Sequence, residues 1–448
     1  MTTILPTPRS WPAILLPRGV RDPLDLAAAR EAGAFVGLAR ALHDLGPTGT
    51  IATVAASGLR GRGGAGFPTA EKWRTAAAAD AATAPDAKAA IRRFVVANGY
   101  GADPSSQTDR TLLEQNPYAV LEGAVIAATA IGAGEAIIAV RAEAVEVIRG
   151  LETALERMLE ANLAGDDILG SGRSVEISIR AVQGAYMLGE ETVLLKAIEG
   201  RRGQPEQRPP QPATRGLFGS PTVVQNVQTL ASVPWILANG AEAFAAIGSK
   251  GSPGTILVSL RAPGGDGVAE VPIGTPLREI VAIVDKGATN DLKAILVGGP
   301  AGGILPPELA DTAYEFEALR AVGAHIGSGS VVAADQRACI VDLARLLTRF
   351  CADEACGKTI PCRIGLRRVS EIGDRIATGL PKPTDLQLLA DLSSDIVGSG
   401  LCDHERLATL PFMTGMQYFK AELDEHILRS SCPAGVCRPI AVAAGATH

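Results

Sequence analysis

Gly58-Leu59-Arg60-Gly61-Arg62-Gly63-Gly64-Ala65-Gly66-Phe67-Pro68-Thr69-Ala70-Glu71-Lys72-Trp73 is the stretch on which the reading of this chain turns. Five glycines in nine residues strip the backbone of Cβ atoms and let peptide N–H groups come close to a ligand. Arg60, Arg62 and Lys72 bring positive charge to the same place, Phe67 adds a flat apolar face and Pro68 stiffens the exit. A bare, cationic, partly aromatic loop suits a phosphate joined to a planar ring, as in a flavin or a dinucleotide. The competing reading is a solvated glycine turn, but a turn has no need of two arginines and an aromatic.

The surroundings of this loop alternate between strand and helix. Ala119–Ala130 has helical composition, and Ala136–Val140 is a short buried strand. Ala142–Ala161 is an amphipathic helix with Val145, Ile148, Leu151, Leu155 and Leu159 on one face, and Val175–Ile179 alternates as a strand. That order predicts parallel α/β units, which hold ligands at the carboxyl ends of their strands. Residues 76–90 are alanine-rich and read as a surface helix or a variable loop. This first region extends over 1–240.

A second region, 241–330, changes character. It offers strands at Thr255–Leu260 and Val268–Pro272 about a turn at Gly264-Gly265-Asp266-Gly267, a helix at Pro276–Val284 and a strand at Ala294–Val297. The pattern predicts a small α+β domain of β-grasp type. The third region, 331–448, is helical, with amphipathic segments at Val341–Cys351, Leu386–Val397 and Met416–Leu428. Thr384 and Asp385, after Pro383, supply a start signal for the middle one.

A chain of 448 residues is too long for one ordinary core. With 47% hydrophobic and 20% charged residues it is globular, and a net charge of −6 with mixed signs excludes a nucleic-acid partner. Residues 1–22 have no apolar core of signal-peptide length. The most apolar stretch, Ala119–Val140, is broken by Glu122, Gly132, Gly134 and Glu135, so it reads as a buried helix, a turn and a strand rather than a membrane span. A cytoplasmic protein is expected, and any membrane contact falls to a partner.

No cysteine precedes Cys339; then come Cys351, Cys356, Cys362, Cys402, Cys432 and Cys437. Such clustering at one end of a long chain points to a metal or iron–sulfur site, against the alternative of buried structural thiols.

A second motif, Gly184-Ala185-Tyr186-Met187-Leu188-Gly189-Glu190-Glu191-Thr192, sets two carboxylates after a glycine turn. They could accept hydrogen bonds from a ribose or a nicotinamide amide, although such pairs more often cap helices. Glu199-Gly200-Arg201-Arg202-Gly203-Gln204-Pro205 and Gly219-Ser220-Pro221-Thr222-Val223-Val224-Gln225-Asn226 follow. In this order the motifs resemble the flavin- and NADH-binding subunit of respiratory complex I and the related subunits of NAD-linked hydrogenases and formate dehydrogenases, over roughly residues 40–430.

The resemblance implies a Rossmann-like FMN and NADH domain, a β-grasp domain and a helical iron–sulfur bundle. It implies FMN held by Gly61, Arg62, Gly63, Gly64, Ala65, Gly66, Phe67, Lys72, Asn98, Tyr186, Gly189, Glu190, Gln225 and Asn226, with NAD(H) near Phe67 and Glu191. It also implies a [4Fe–4S] cluster on Cys356, Cys362 and Cys402, and partners bearing further clusters: a two-iron ferredoxin-type subunit and a larger one. Hydride chemistry then belongs to FMN and needs no catalytic side chain.

This chain departs from the pattern. Thr359 stands where the family has the middle cluster cysteine, which leaves open a three-iron cluster, a four-iron cluster with a substitute ligand (Cys351, Asp403 or His404) or no cluster. Tyr100 and Gly101 replace acidic residues, Asp103 is a shortened glutamate, and the two aromatics that sandwich adenine align with Thr75 and Gln211. Losing two stacked rings weakens NADH by roughly a hundredfold or more. Cys432 and Cys437 read as structural thiols or as ligands completed by a partner, and no ferredoxin-like domain is expected after them. His43, His325 and His404 read as structural. The expected function is an electron-transfer subunit in which FMN exchanges hydride with NAD(H) and single electrons with iron–sulfur clusters. The alternatives are a scaffold that no longer oxidises NADH and a flavin relay fed by a partner protein.

Overall fold

The computed structural model describes residues 2–79, 92–285, 287 and 291–437. Most of the alanine-rich segment, from residue 80 onward, lies outside the described residues, as do residues 438–448.

The first sheet is parallel throughout: β1 (Phe94–Gly99), β2 (Glu135–Arg141), β3 (Glu176–Val182) and β4 (Thr222–Asn226) lie in the order β3-β2-β1-β4. β1 and β2 are nearly continuous apolar runs because helices cover both faces. The helices that matter for the site are α1 (Thr69–Ala78), α2 (Pro117–Ile131), α3 (Val145–Glu160), α4 (Glu191–Ile198) and α5 (Val227–Asn239). The apolar stretch resolves as expected: α2 ends at Gly132 in a left-handed conformation and β2 begins three residues later. Among the described residues, no helix is long and apolar enough to cross a membrane.

The second sheet is built from β5 (Thr255–Ala262), β6 (Gly265–Pro272), β7 (Leu292–Val297), β8 (Gly303–Leu305) and β9 (Ser330–Asp335), in the order β8-β7-β9-β5-β6. Its last strand, β9, runs parallel to its first, β5, and α6 (Leu277–Val284) packs on it, which is the β-grasp arrangement. The expected turn over residues 264–267 is corrected. Gly265, Asp266 and Gly267 pair with Ala262, Arg261 and Leu260, so the hairpin closes over Pro263 and Gly264. Gly267 is bare for another reason: a Cβ there would stand 2.6 Å from the Thr3 carbonyl, where the N-terminal segment lies along the strand.

The helical region comprises α7 (Ile340–Asp353), α8 (Arg367–Ala377), α9 (Asp385–Ser399), α10 (Leu410–Tyr418) and α11 (Lys420–Arg429). One expected helix, Met416–Leu428, is in fact parts of two, broken at Phe419 (φ −122°, ψ 33°). Periodicity missed the break because both helices turn apolar residues to the same core. At the start of α9 the Thr384 side chain makes no capping bond; buried Asp385 instead takes the Lys382 N–H at 2.9 Å and pairs with Arg375.

Two buried carboxylates tie remote segments together. Glu270 on β6 accepts the N–H groups of Ile14, Leu15 and Leu16 at 2.8–2.9 Å, and Glu122 on α2 accepts those of Phe35 and Leu38 at 2.9 and 3.0 Å. Burial pushes both acids up, Glu122 to about 7, against the pull of these donors.

Candidate functional site

In the first sheet the strand order reverses between β1 and β4, and the carboxyl ends of those strands flank a crevice of the kind that holds nucleotides in open α/β sheets. Asn98 is the penultimate residue of β1 and Asn226 closes β4, and the two are register partners. Asn226 caps α5 by accepting the Gln228 N–H at 2.9 Å, while its Nδ2 donates to Asp109 at 2.9 Å. Asp109 was not singled out from the sequence. It is enclosed, takes a second bond from Gln228 Nε2 at 3.0 Å, and is raised by burial against the pull of those two donors. Asn98 Oδ1 accepts the Tyr100 N–H at 3.2 Å.

The glycine loop lies across this crevice. Its base is pinned by Gly61 N–H to the Phe67 carbonyl (2.8 Å) and Thr69 N–H to the Leu59 carbonyl (3.0 Å). Between those pins, the amides of Gly63, Gly64, Ala65 and Gly66 reach no acceptor outside their own turn among the described residues. A Cβ on Gly63 would meet the Asn226 Cβ at 3.3 Å, so the loop sits directly against the end of β4. Gly64 and Gly66 have φ of +109° and +65°, and a Cβ on Gly66 would come within 2.7 Å of the Phe316 ring. Thr69 Oγ1, at the loop exit, is buried without a partner. Amides without acceptors in a bare loop beside Asn226 fit a phosphorylated planar cofactor such as FMN. Phe67 is exposed and available as a stacking face.

The loop's charge is deployed otherwise than the sequence suggested. The Arg62 side chain turns inward: it is 1% exposed and donates to the carbonyls of Pro253 and Arg60. Burial first, and the Arg60 charge second, hold it down to about 9. Its contribution near the loop is structural, including its N–H bond to Thr229 Oγ1 at 2.8 Å. Arg60 pairs with Glu317 at 2.8 Å and lies over the Phe316 ring. Lys72 alone of the three reaches the crevice, with Nζ 2.8 Å from Glu191 and 3.0 Å from the Val224 carbonyl.

Glu190 and Glu191 are already engaged. Glu190 is the N-cap of α4, accepting the N–H groups of Thr192 and Val193 at 2.9 Å, and its other oxygen pairs with Arg208. Glu191 bridges Lys72 and Arg208. The capping role is thus the geometry of Glu190. Gln225, on β4, is buried, and Gly189 ends the turn before α4.

The departures also have structural roles. Tyr100 is buried under Arg141, whose guanidinium lies 4.7 Å from the ring centre. Asp103 accepts from Ser105 N–H at 2.7 Å and from Ser328, tying the segment after β1 to the turn that precedes β9. Thr75 and Gln211 are exposed.

Tyr186 marks the seam with the helical region. Its N–H donates to Glu354 at 3.0 Å, and its ring meets Phe350 and His404 at 5.3 and 5.6 Å. Beyond the seam lie Cys356, half-buried Cys402 and buried Cys362, whose thiol is pushed up to about 12 by burial first and then by the charges of Glu405, Cys402 and Cys356. The Cys356 loop is held against the first region by Gln204 Nε2 on the Cys356 carbonyl (3.4 Å) and Lys358 on the Pro205 carbonyl. Three thiols at a protein seam fit an iron–sulfur cluster. Thr359 directs its hydroxyl to buried Glu405 at 2.8 Å. Of the substitute ligands, Asp403 points outward. Cys351 is buried near Cys362, and His404 gives Nε2 to the Cys351 carbonyl (3.0 Å), leaving a buried Nδ1 without a partner.

Residues 54–235 match the Nuo51 FMN-binding domain, and residues 342–426 match the NADH-ubiquinone oxidoreductase-F iron-sulfur binding region. The NADP-reducing hydrogenase subunit HndC of Solidesulfovibrio fructosivorans is 38% identical over 406 residues, covering 90% of this chain and 81% of that protein. An NADH-quinone oxidoreductase subunit of Streptomyces coelicolor is 38% identical over 401 residues, covering 89% of this chain and 87% of its own length. A solved NAD+-reducing [NiFe]-hydrogenase in the H2-reduced state superposes with a TM-score of 0.79 at 32% identity, over 90% of this chain and 67% of that one. With the nucleotide crevice, the grasp sheet and the cysteine-bearing helices all in place, the chain belongs to the family of FMN- and iron–sulfur-binding flavoprotein subunits of NADH-quinone oxidoreductases and NAD(P)-linked hydrogenases.

Proposed function

We propose that this chain holds FMN in the crevice between β1 and β4 and works as the electron-transfer subunit of a multisubunit oxidoreductase. The observation that carries the reading is the glycine loop whose Gly63–Gly66 amides have no acceptor outside their own turn among the described residues and whose Gly63 packs against Asn226 at the end of β4. FMN supplies the interconversion of hydride and single-electron transfer. The chain's part is to fix and enclose it. Gly63–Gly66 present donors to a phosphate, Asn98 and Asn226 stand at the strand ends, Lys72 offers a cation, and Phe67 gives a face on which a nicotinamide can lie. Cys356, Cys362 and Cys402 hold the cluster that takes electrons onward, across the seam made by Tyr186, to iron–sulfur subunits of the same complex. We propose the divisions 1–240, 241–330 and 331–448 as its three domains.

A second reading, a relay or scaffold that does not oxidise NADH, is favoured by one specific observation. Glu190 and Glu191, the acceptors offered to the nicotinamide side, are neutralised by Lys72 and Arg208. Anaerobic addition of NADH to the purified protein decides between the two. Bleaching of the visible flavin band supports NADH oxidation, a bound flavin indifferent to NADH supports the relay, and protein that neither carries nor takes up FMN sinks both flavin readings.

A further inference from the structure

Three of the four cysteines outside the cluster set converge on a second place. Cys339 caps the start of α7, His426 lies on the last turns of α11, and Cys432 and Cys437 sit on the tail that follows. Their ligand atoms all lie within 4.8 Å of one another: Cys339 Sγ is 3.4 Å from His426 Nε2 and 3.6 Å from Cys437 Sγ. A tetrahedron of thiolates at a zinc–sulfur distance of about 2.3 Å has edges of about 3.8 Å. We propose that Cys339, His426, Cys432 and Cys437 form a closed structural zinc site, separate from the cluster cysteines and sharing no residue with them.

The surrounding bonds prepare each ligand. His426 Nδ1 lies 2.8 Å from the Glu422 carbonyl, which can only accept, so the proton is on Nδ1 and the Nε2 lone pair faces the three sulfurs. Glu422 is itself fixed by the Ile340 N–H and by Lys293, both at 2.9 Å. Backbone amides of Asp342 and Cys437 point at the sulfurs of Cys339 and Cys432, at 3.4 and 3.5 Å. The Cys432-Pro433-Ala434-Gly435-Val436-Cys437 segment turns tightly, with Gly435 N–H on the Cys432 carbonyl at 3.0 Å and Gly435 at φ +66°. That is the two-cysteine turn zinc favours. The pair therefore needs no partner protein to complete it. A disulfide between Cys339 and Cys437 would require the sulfurs to close from 3.6 Å to about 2.05 Å and would leave His426 and Cys432 without a role. Zinc gives residues 430–437 after α11, which form no helix or strand, a covalent hold on the base of the helical region.

The test is metal analysis of the full chain made in zinc-supplemented medium and purified anaerobically. We expect about one zinc per chain, and X-ray absorption at the zinc edge to show three sulfurs at about 2.3 Å and one nitrogen at about 2.0 Å. His426→Gln and Cys437→Ser should each lower bound zinc at least tenfold while iron and flavin per chain stay unchanged. The absorption measurement needs only the wild-type chain, so the question is answered even if a variant fails to fold. Wild-type protein with negligible zinc, zinc in an oxygen-rich shell, zinc retained in full by both variants, or a Cys339–Cys437 disulfide in the intact mass would each overturn the proposal. None of these readouts depends on FMN or NADH.

Discussion

Asn98 and Asn226 face each other in register across β1 and β4, at the point where the strand order of the first sheet reverses. Both side chains are committed locally, Asn98 to the Tyr100 amide and Asn226 to α5 and Asp109, so the crevice between them is shaped before any ligand arrives. Its remaining wall is the loop around Gly63. Gly63→Val places branched carbon against Asn226 and should weaken FMN binding by roughly tenfold or more, about 1.4 kcal/mol. Fluorescence titration of flavin-free protein measures this. Unchanged affinity would move the flavin elsewhere.

Thr359 stands between Cys356 and Cys362 of the proposed cluster set, and its hydroxyl is turned to Glu405. Thr359→Cys restores a thiolate at that position and should raise iron and acid-labile sulfide toward about four of each per chain. Chemical analysis with EPR of the reduced protein reads the change. A variant identical to wild type would show that the missing thiol is not what limits cluster assembly.

In the proposed NADH site, Thr75 and Gln211 offer no aromatic ring to an adenine. Thr75→Phe combined with Gln211→Phe should tighten NADH by roughly five- to 150-fold per ring, the worth of about 1–3 kcal/mol for a stacked base. The check is the NADH concentration dependence of flavin bleaching. Flavin content should not move, because neither residue borders the glycine loop.

Glu122 titrates in the folded state at about 7 instead of its usual 4.5, chiefly because it is buried. The folded protein therefore holds this proton more tightly than the unfolded chain. Below pH 4.5 the burial carries no ionisation cost; stability falls as pH rises from there to about 7, by on the order of 3 kcal/mol in all. Buried His325 and His404, lowered by burial, act in the opposite sense and lose stability as pH falls below the usual histidine value. The clean measurement is thus a difference. Urea unfolding of wild type and Glu122→Gln between pH 5 and 8 should show a variant that is less stable at pH 5 but has a flatter pH dependence. Parallel curves would remove Glu122 as the cause.

The periodic segments around β1, β2, α2 and α3 could be read from the chain because their apolar spacing is uninterrupted. The glycine loop could be read because its composition has no purely structural use. What escaped was whatever depends on distant partners. Arg62 gives no sign in sequence that its guanidinium turns away from the crevice to a carbonyl at Pro253, and Asp109 becomes part of the site only when α5 brings Gln228 to it. Two signals do stand in the sequence. A carboxylate inside an apolar run, as at Glu122 and at Glu270 in Gly267-Val268-Ala269-Glu270-Val271, marks a buried anchor for backbone amides. His426 sits six residues before Cys432, a spacing worth testing wherever cysteines lack partners.

Arg60 and Arg62, which rise from the loop and fasten onto Glu317 and the Pro253 carbonyl, make the segments flanking the grasp sheet a supporting buttress of the nucleotide crevice. Retention of a bound flavin should then depend on contacts made outside the crevice itself. Damage to Glu317, far from the flavin in sequence, should therefore show itself first as a colourless protein.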